Sequence, residues 1–346
     1  MKKAGIITLF GEYNFGNRLQ NYAVQEVLKE NGLEVETIKY ILTTYKEPII
    51  ENEIDKKRLE RFKKFNEKIN FAQNILYVDL EAPENFSNNY DYIALGSDQI
   101  WNYSFTRFFS HKALGSFAPK EKKFSISASF GVNYIPEKDS QLYKDCEKYL
   151  KELKAISVRE YAGKGIVESL TNREDVQVLI DPTMMIDVKK WENLMKKPDW
   201  LNDKKIIIKS FLGEPSKEEN DEIEKIKVKY DCQIIDISNK DSLFYGIGPQ
   251  EFLYLLKNAF LVTTDSFHAC VFSILFKTPF VVFERHDNLK SMYSRIETLL
   301  EKFNIENRVC KKEITESNIK CNYSKVDEIL EEERRKANSF IKKALQ

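Results

Sequence analysis

The sequence predicts an α/β protein with two doubly wound domains. Short apolar runs typical of buried strands alternate with helical patterns along most of the chain. Polar residues gather just after several of these strands, where open parallel sheets bind ligands. The length of 346 residues also exceeds what one compact core usually holds, so two domains of roughly 150 to 180 residues are expected.

The charge balance excludes a generally basic, nucleic-acid-binding protein. The chain has 54 basic and 54 acidic residues, and its pI is about 6.9. No global field therefore attracts nucleic acid or an anionic membrane, and any anion site must be local.

Cysteine usage and the chain start indicate a cytoplasmic protein. The five cysteines are odd in number and lack CxxC spacing, which argues against a disulfide framework and a structural zinc site. Met1 to Ile7 enters a strand-like run and not a signal peptide, and no run of about 18 apolar residues exists. Peripheral contact with the inner face of the membrane is left open.

The first βαβ unit carries a loop rich in glycine and asparagine. Gly5 to Phe10 is predicted as a buried strand, and the following helix ends at Asn31-Gly32. The loop between them is neither GxGxxG nor a P-loop, so a dinucleotide or Walker-type site has no support. Two interpretations stay open: a tight turn that presents Asn14, Asn17 and Arg18 to a ligand, or a plain connection.

The next helix is predicted as a solvated connector. Glu51 to Lys68 is strongly charged, with Leu59, Phe62 and Phe65 on one side. Nothing in that pattern by itself predicts a site.

Polar residues follow the predicted strand Tyr90 to Leu95. Ser97, Asp98 and Gln99 come at its carboxyl end, where a ligand would bind in an open α/β sheet. The alternative is a capped turn in which Trp101 packs into the core.

A single arginine leaves the predicted strand Ala155 to Val158. Arg159 at that exit could clamp a phosphate or carboxylate through two hydrogen bonds. An ion pair with Glu160 or another nearby acid is equally compatible with the sequence.

A histidine lies in the first turn of a helix in the second half of the chain. Ala259 to Val262 is predicted as a buried strand, and Asp265 or Ser266 as the helix N-cap. A helix start after a strand attracts anions, and His268 could serve there as acid or base. The alternative is a satisfied structural histidine.

The remaining elements set the predicted domain boundaries. A polar loop follows the strand Pro279 to Phe283, and its Lys290 could approach the ligand expected near His268. Such a residue is more commonly a flexible lysine on the surface. The domains are predicted at residues 1–180 and 181–310. A C-terminal segment, 311–346, ends in a helix with one apolar side that packs back across both.

Four stretches together resemble the polysaccharide pyruvyl transferases, in the expected order over about residues 4 to 300. They are Tyr13 to Tyr22, Gly96 to Asn102, Ile156 to Glu160 and Thr264 to His268. The resemblance implies two Rossmann-like domains in a glycosyltransferase-B-like (GT-B-like) arrangement. It also implies phosphoenolpyruvate as donor and a sugar of a cell-surface glycan as acceptor, lipid-linked or not.

The resemblance also implies roles for single residues. Arg159 matches the family's ligand-binding arginine, His268 its catalytic histidine, and Lys290 a lysine in the loop after the next strand. Many relatives have glycine after the histidine, where this chain has Ala269.

Ketal formation from phosphoenolpyruvate needs cations for the donor and one group that exchanges a proton. The catalytic residues are therefore expected to be His268, Arg159 and Lys290, and the donor-binding residues Ser266, Arg159, Lys290 and Arg295. With the donor assigned to those residues, the acceptor is expected to bind the remaining polar loops, at Asn14, Asn17, Arg18, Ser97, Asp98 and Gln99. No metal or cofactor is expected, because no histidine and carboxylate cluster has ligand spacing.

Two other functions fit the same fold. One is a GT-B-type glycosyltransferase that uses a nucleotide-sugar in the cleft between the domains. The other is a non-catalytic glycan- or phosphate-binding protein of surface-polymer assembly.

Overall fold

The computed structural model describes residues 1–11, 13–105, 109–285 and 293–346. In chain order its strands are β1 (Lys3–Ile7), β2 (Glu34–Ile41), β3 (Phe71–Tyr77), β4 (Tyr92–Leu95), β5 (Lys123–Ser125), β6 (Ser157–Val158), β7 (Gln177–Val178), β8 (Ile206–Ser210), β9 (Gln233–Asp236), β10 (Leu261–Thr264) and β11 (Phe280–Val282). Its α-helices are α1 (Phe15–Glu30), α2 (Glu53–Asn66), α3 (Gln141–Lys151), α4 (Tyr161–Thr171), α5 (Pro182–Met185), α6 (Val188–Leu194), α7 (Lys217–Tyr230), α8 (Pro249–Lys257), α9 (Phe267–Phe276), α10 (Ser294–Lys302), α11 (Glu316–Ile319) and α12 (Val326–Ala344).

The strands form two main parallel sheets. The first has the order β3-β2-β1-β4-β5, which is the arrangement of a Rossmann half, and the second has the order β11-β10-β8-β9. β6 pairs with β7, and bridges from Phe124 to Ala155 and from Ala128 to Val158 connect this pair to the first sheet. Helices alternate with the strands of both sheets. The predicted class, α/β with two Rossmann-like doubly wound domains, is confirmed.

Helix α1 lies inside the molecule and not on its surface. It begins at Asn14, whose side chain accepts a hydrogen bond from the Asn17 amide, and it ends at Asn31 before Gly32 with φ of 83°. Eleven of its residues are buried, polar ones included. The helix therefore brings amide and guanidinium groups into the interior, where each needs a partner.

One apolar core runs through both halves of the chain. Leu19 of α1 belongs to the same cluster of buried side chains as Val262 of β10 and Phe272 of α9. The rings of Phe15 and Phe252 stack across this contact, with centroids 4.4 Å apart and planes inclined by 6°. The two sheets are therefore joined by packing and not only by a linker.

Helix α2 is charged and largely solvated, as predicted, but its apolar side and two of its arginines pack against the rest of the protein. Phe62 and Phe65 are fully buried, and Arg61 donates a hydrogen bond of 2.6 Å to the carbonyl of Gly246 in the second half. The three apolar residues on one side of α2 pack against a neighbouring surface. Their burial offsets the free-energy cost of burying part of a charged helix.

The C-terminal helix contacts both sides of the predicted boundary at residue 180. In α12, Arg334 donates through Nε to the carbonyl of Met184 at 2.7 Å, and beyond the helix the carbonyl of Leu345 accepts from the Tyr92 hydroxyl at 2.5 Å. The exact limits of the domains stay a prediction. In the part of the chain that the structure describes, no helix has the length and apolar character needed to cross a membrane.

Candidate active site

His268 occupies the first turn of α9, directly beyond the carboxyl end of β10. The turn between them is held by Thr264, whose hydroxyl accepts from the Ser266 amide at 2.8 Å and donates to the Ser210 carbonyl at 2.5 Å. Ser266 is the N-cap residue, and its side chain accepts no hydrogen bond from the amides of the first turn. The imidazole thus lies beside unpaired amide groups and the positive end of the helix.

Asp181 lies between His268 and Arg159. Its Oδ2 atom is 2.7 Å from Nη1 of Arg159 and 3.7 Å from Nε2 of His268. Its Oδ1 atom accepts from the amide and hydroxyl of Thr183, at 3.0 and 2.7 Å, as the N-cap of α5. A single buried carboxylate therefore binds Arg159 and faces His268, two of the three residues for which catalytic roles were predicted.

The charges around Asp181 keep it ionised. Burial by itself would raise the pKa of Asp181, but the His268 imidazole and the Arg159 guanidinium outweigh burial and hold this pKa well below its ordinary value. Burial would likewise raise the pKa of Asp98, but nearby charges, chiefly that of Arg159, outweigh burial and lower this pKa.

Arg159 is enclosed by two carboxylates and one aromatic ring. Besides Asp181 it contacts Oδ1 of Asp98 at 3.4 Å, and its guanidinium lies 4.2 Å from the ring centroid of Phe267. Only 2% of Arg159 is exposed. The sequence left open whether Arg159 clamps a ligand or forms an ion pair with a nearby acid. The structure contains the ion pair, and its partners are Asp98 and Asp181 and not Glu160. Direct binding of a donor by Arg159 stays a prediction.

Glu160 has a structural setting of its own. Its Oε1 atom accepts from the Ser129 hydroxyl at 3.0 Å and from the Phe130 amide at 2.9 Å. Burial raises the pKa of Glu160, since the neighbouring cations only partly offset the loss of solvent. Glu160 thus fixes the loop after β5, and the ion-pair partners of Arg159 are Asp98 and Asp181.

A cavity of about 440 Å³ opens beside His268, and two of the described arginines line it. Arg295, near the start of α10, and Arg285 contribute the cationic side chains. Burial, followed by the charge of Arg159, lowers the pKa of Arg295 to about 10, so Arg295 remains charged at neutral pH. Such a cavity suits a small, doubly charged anion.

Gly16 forms the wall against which the imidazole packs. A Cβ atom at this position would lie 2.0 Å from Nδ1 and 2.4 Å from Cγ of His268. Any side chain there would displace the ring. Glycine in the first turn of α1 is therefore needed for the close approach of backbone to ring, a role that the sequence did not reveal.

The residues predicted to bind acceptor fall into two groups. Asn14, Asn17, Asp98 and Gln99 line the 440 Å³ cavity, and Asn17 also donates to Asp98 at 3.2 Å. Ser97 and Arg18 are fully buried and are not among the lining residues. Ser97 donates to the Ser127 carbonyl at 2.9 Å, and Arg18 to Oδ1 of Asn17 at 2.5 Å.

The donor-binding predictions can be placed for three of four residues. Ser266 and Arg295 line the cavity, Arg159 lies behind it, and Lys290 is outside the described residues. In the described part of the chain, no three histidine, cysteine or acidic side chains are grouped so that they could hold a metal ion.

Comparison with known proteins identifies the family and the fold. Residues 14–288 match the family model described as polysaccharide pyruvyl transferase. No curated protein matches the chain.

Similar solved structures include two epimerases. One is a provisionally assigned UDP-N-acetylglucosamine 2-epimerase from Listeria monocytogenes, with TM-score 0.53 and 13% identity over 97% of this chain and 90% of that chain. The other is the UDP-GlcNAc 2-epimerase from Methanocaldococcus jannaschii, with TM-score 0.51 and 14% identity over 96% and 99%. At this identity the likeness concerns the fold alone, and it confirms the GT-B-like arrangement of the two domains.

Proposed function

Because the chain belongs to the polysaccharide pyruvyl transferase family, we propose that it transfers pyruvate from phosphoenolpyruvate to a sugar. The acceptor is a unit of a cell-surface polysaccharide or its lipid-linked precursor, and the product is a pyruvate ketal. The observation that carries this proposal is that His268 and Arg295 line one cavity of about 440 Å³, with the buried carboxylate of Asp181 3.7 Å from the imidazole.

The overall reaction fixes what the site must do. One sugar hydroxyl adds to C2 of phosphoenolpyruvate while C3 gains a proton, phosphate leaves, and a second hydroxyl adds to C2 to close the ring. The two hydroxyl protons end on the new methyl group and on the phosphate. No oxidation or reduction occurs, so the balance contains no redox cofactor.

His268 supplies the proton transfer in this proposal. It is the only histidine that lines the cavity among the described residues, and Oδ2 of Asp181 lies 3.7 Å from its Nε2 atom. An imidazole can act as both acid and base. The protonated imidazole donates to the methylene carbon, and the neutral form then accepts the proton of a sugar hydroxyl.

The donor is held by arginines and by the start of α9. Arg285 and Arg295 line the cavity, and the uncapped first turn beginning at Ser266 offers amide groups to a phosphate or carboxylate. Arg159 acts mainly on the geometry of Asp98 and Asp181, and Lys290 completes the donor site if it follows the family pattern. The acceptor sugar approaches from the side of Asn14 and Gln99.

The test is incubation of the protein with phosphoenolpyruvate and a panel of glycosides, with phosphate release and product mass followed together. The expected product carries one pyruvate ketal per phosphate released. Phosphate release without a heavier glycoside would contradict transfer. Turnover of UDP-sugars in parallel reactions without phosphoenolpyruvate would support a nucleotide-sugar glycosyltransferase instead. We place the reaction in the cytoplasm, at the inner face of the membrane when the acceptor is lipid-linked.

A further inference from the structure

A second cavity adjoins the first at the start of α1. It encloses about 180 Å³ and shares His268 and Ser266 with the wall of the first cavity. It lies between the loop that precedes α1 and the carboxyl edge of the second sheet. Its polar side chains are Tyr13, Asn14, Arg58, Ser210, Tyr245, Ser238, Ser266 and His268.

Arg58 of α2 is a buried cation in this wall. It is 4% exposed, and none of the described carboxylates forms an ion pair with it. Its Nη1 and Nη2 atoms donate to the backbone carbonyls of Tyr245 and Tyr13 at 2.7 and 2.9 Å, while Nε has no acceptor among the described residues. The rings of Tyr245 and Phe15 lie 4.2 and 4.4 Å from the guanidinium.

None of these direct neighbours is an anion. Two backbone carbonyls and four aromatic rings, those of Tyr13, Phe15, Phe62 and Tyr245, stabilise a guanidinium less than a directly bound carboxylate does. Burial lowers the pKa of Arg58 to about 10, so the group stays charged at neutral pH. A buried charge of this kind usually has an anionic partner.

Two helix starts add to the positive potential of the same cavity. Asn14 caps α1, but its side chain accepts only from Asn17, so other first-turn amides have no acceptor within the helix. In α9, the side chain of the N-cap residue Ser266 likewise accepts no hydrogen bond from the first-turn amides. The two helices have 16 and 10 residues, long enough for their dipoles to attract an anion.

We infer that the cavity around Arg58, the Arg58 cavity, binds a phosphate group of the acceptor, which is therefore a phosphate-linked sugar. This assignment rests on the proposed function. The first cavity already offers Arg285 and Arg295 to the donor. Ser238 of the Arg58 cavity also lines an open cleft of about 970 Å³ beside β8 and β9, which leaves room for the nucleoside or lipid beyond the phosphate.

The first test measures phosphate binding directly. Inorganic phosphate is titrated calorimetrically into the protein saturated with phosphoenolpyruvate, without acceptor, so that the donor cavity is occupied. Arg58→Gln is expected to weaken phosphate binding about 10- to 100-fold, the range for a lost charge-assisted hydrogen bond.

Arg61→Gln is the matched control. Arg61 lies on the same helix, donates to the neighbouring carbonyl of Gly246 and has Glu251 as a partner at 3.5 Å, but it does not line the Arg58 cavity. It is expected to bind phosphate like the wild type. Equal phosphate affinity in Arg58→Gln and the wild type would overturn the inference, as would equal losses in both variants.

A second variant tests the same cavity independently, in case Arg58→Gln does not fold. Ser238→Asp leaves Arg58 in place but adds a carboxylate to the half-buried wall of the cavity. It is expected to abolish phosphate binding. Unchanged phosphate affinity in Ser238→Asp would count against the site.

Kinetics then separate acceptor from donor. With a nucleotide-linked sugar as acceptor, Arg58→Gln should raise the acceptor KM, but with the methyl glycoside of the same sugar KM should be unchanged. A raised KM for phosphoenolpyruvate would assign the cavity to the donor and overturn the acceptor assignment. An Arg58-dependent phosphate site without any pyruvyl transfer would instead refute the proposed function.

Discussion

The imidazole of His268 packs directly against the backbone of Gly16, although the two residues come from opposite halves of the chain. A methyl group on Gly16 would approach Nδ1 of His268 to 2.0 Å. On its other nitrogen the ring faces Oδ2 of Asp181 at 3.7 Å. The position of the ring is thus set by the start of α1 on one side and by the start of α5 on the other.

Gly16→Ala should lower pyruvyl transfer about 100-fold, since a displacement of the ring by about 1 Å is enough for such a loss. Steady-state rates with phosphoenolpyruvate and a glycoside measure the effect. Gly165→Ala is the control, because a Cβ at position 165 of α4 meets nothing within 4 Å. That variant should keep full activity. Normal rates in Gly16→Ala would show that the ring can move freely.

His268→Gln should reduce kcat about 100- to 10,000-fold, because the amide cannot exchange a proton at neutral pH. Binding of phosphoenolpyruvate should persist, since Arg285 and Arg295 remain. The rise of the melting temperature with donor concentration checks that point. A variant that transfers pyruvate at the wild-type rate would remove His268 from the mechanism.

Asp181→Asn should lower the free energy of unfolding by about 3 kcal/mol at pH 7, because Arg159 loses a buried partner. The folded-state pKa of Asp181 is depressed, so the stability it contributes is present above its unfolded pKa and is lost as the pH falls below that value. The stability difference between wild type and variant should therefore shrink below about pH 4. Urea unfolding at several pH values measures it. A difference that grows toward low pH would contradict the assigned direction of the pKa shift.

Arg295→Gln and Arg159→Gln should have different effects. Arg295 lines the cavity, so its loss should raise the KM for phosphoenolpyruvate about 10-fold or more. Loss of Arg159 leaves Asp98 and Asp181 without their cation and should cost about 3 to 5 kcal/mol of stability. Kinetics and urea unfolding of both variants separate the two effects. A stable Arg159→Gln protein with weakened donor affinity would instead place Arg159 in contact with the donor.

Local pattern was enough to predict much of the fold and part of the site. The strand before His268 and the helix after it are visible as an apolar run followed by a 3-and-4 repeat, and β10 and α9 lie there. Arg159 follows a short strand, as predicted. Arg159 and His268 could be singled out because both follow a predicted buried strand, where open α/β sheets bind their ligands.

The partners of these residues could not be predicted, because they depend on tertiary contacts. Asp181-Pro182 carries the signal of a helix start, an N-cap acid before proline, but this signal does not reveal that the carboxylate faces His268. Arg58 is hidden among the many charges of α2, and only the neighbouring half of the molecule makes it a buried cation. The closeness of Gly16 to the imidazole likewise exists only once α1 and α9 meet.

The apolar cluster that includes Leu19, Val262 and Phe272 has a consequence for cooperativity. Since α1 inserts among side chains of the second sheet, neither half can lose its packing without exposing the other to water. Calorimetry should accordingly record a single endotherm, with equal van't Hoff and calorimetric enthalpies. Fragments cut near residue 180 should each aggregate when expressed alone, yet recover a common structure when refolded together.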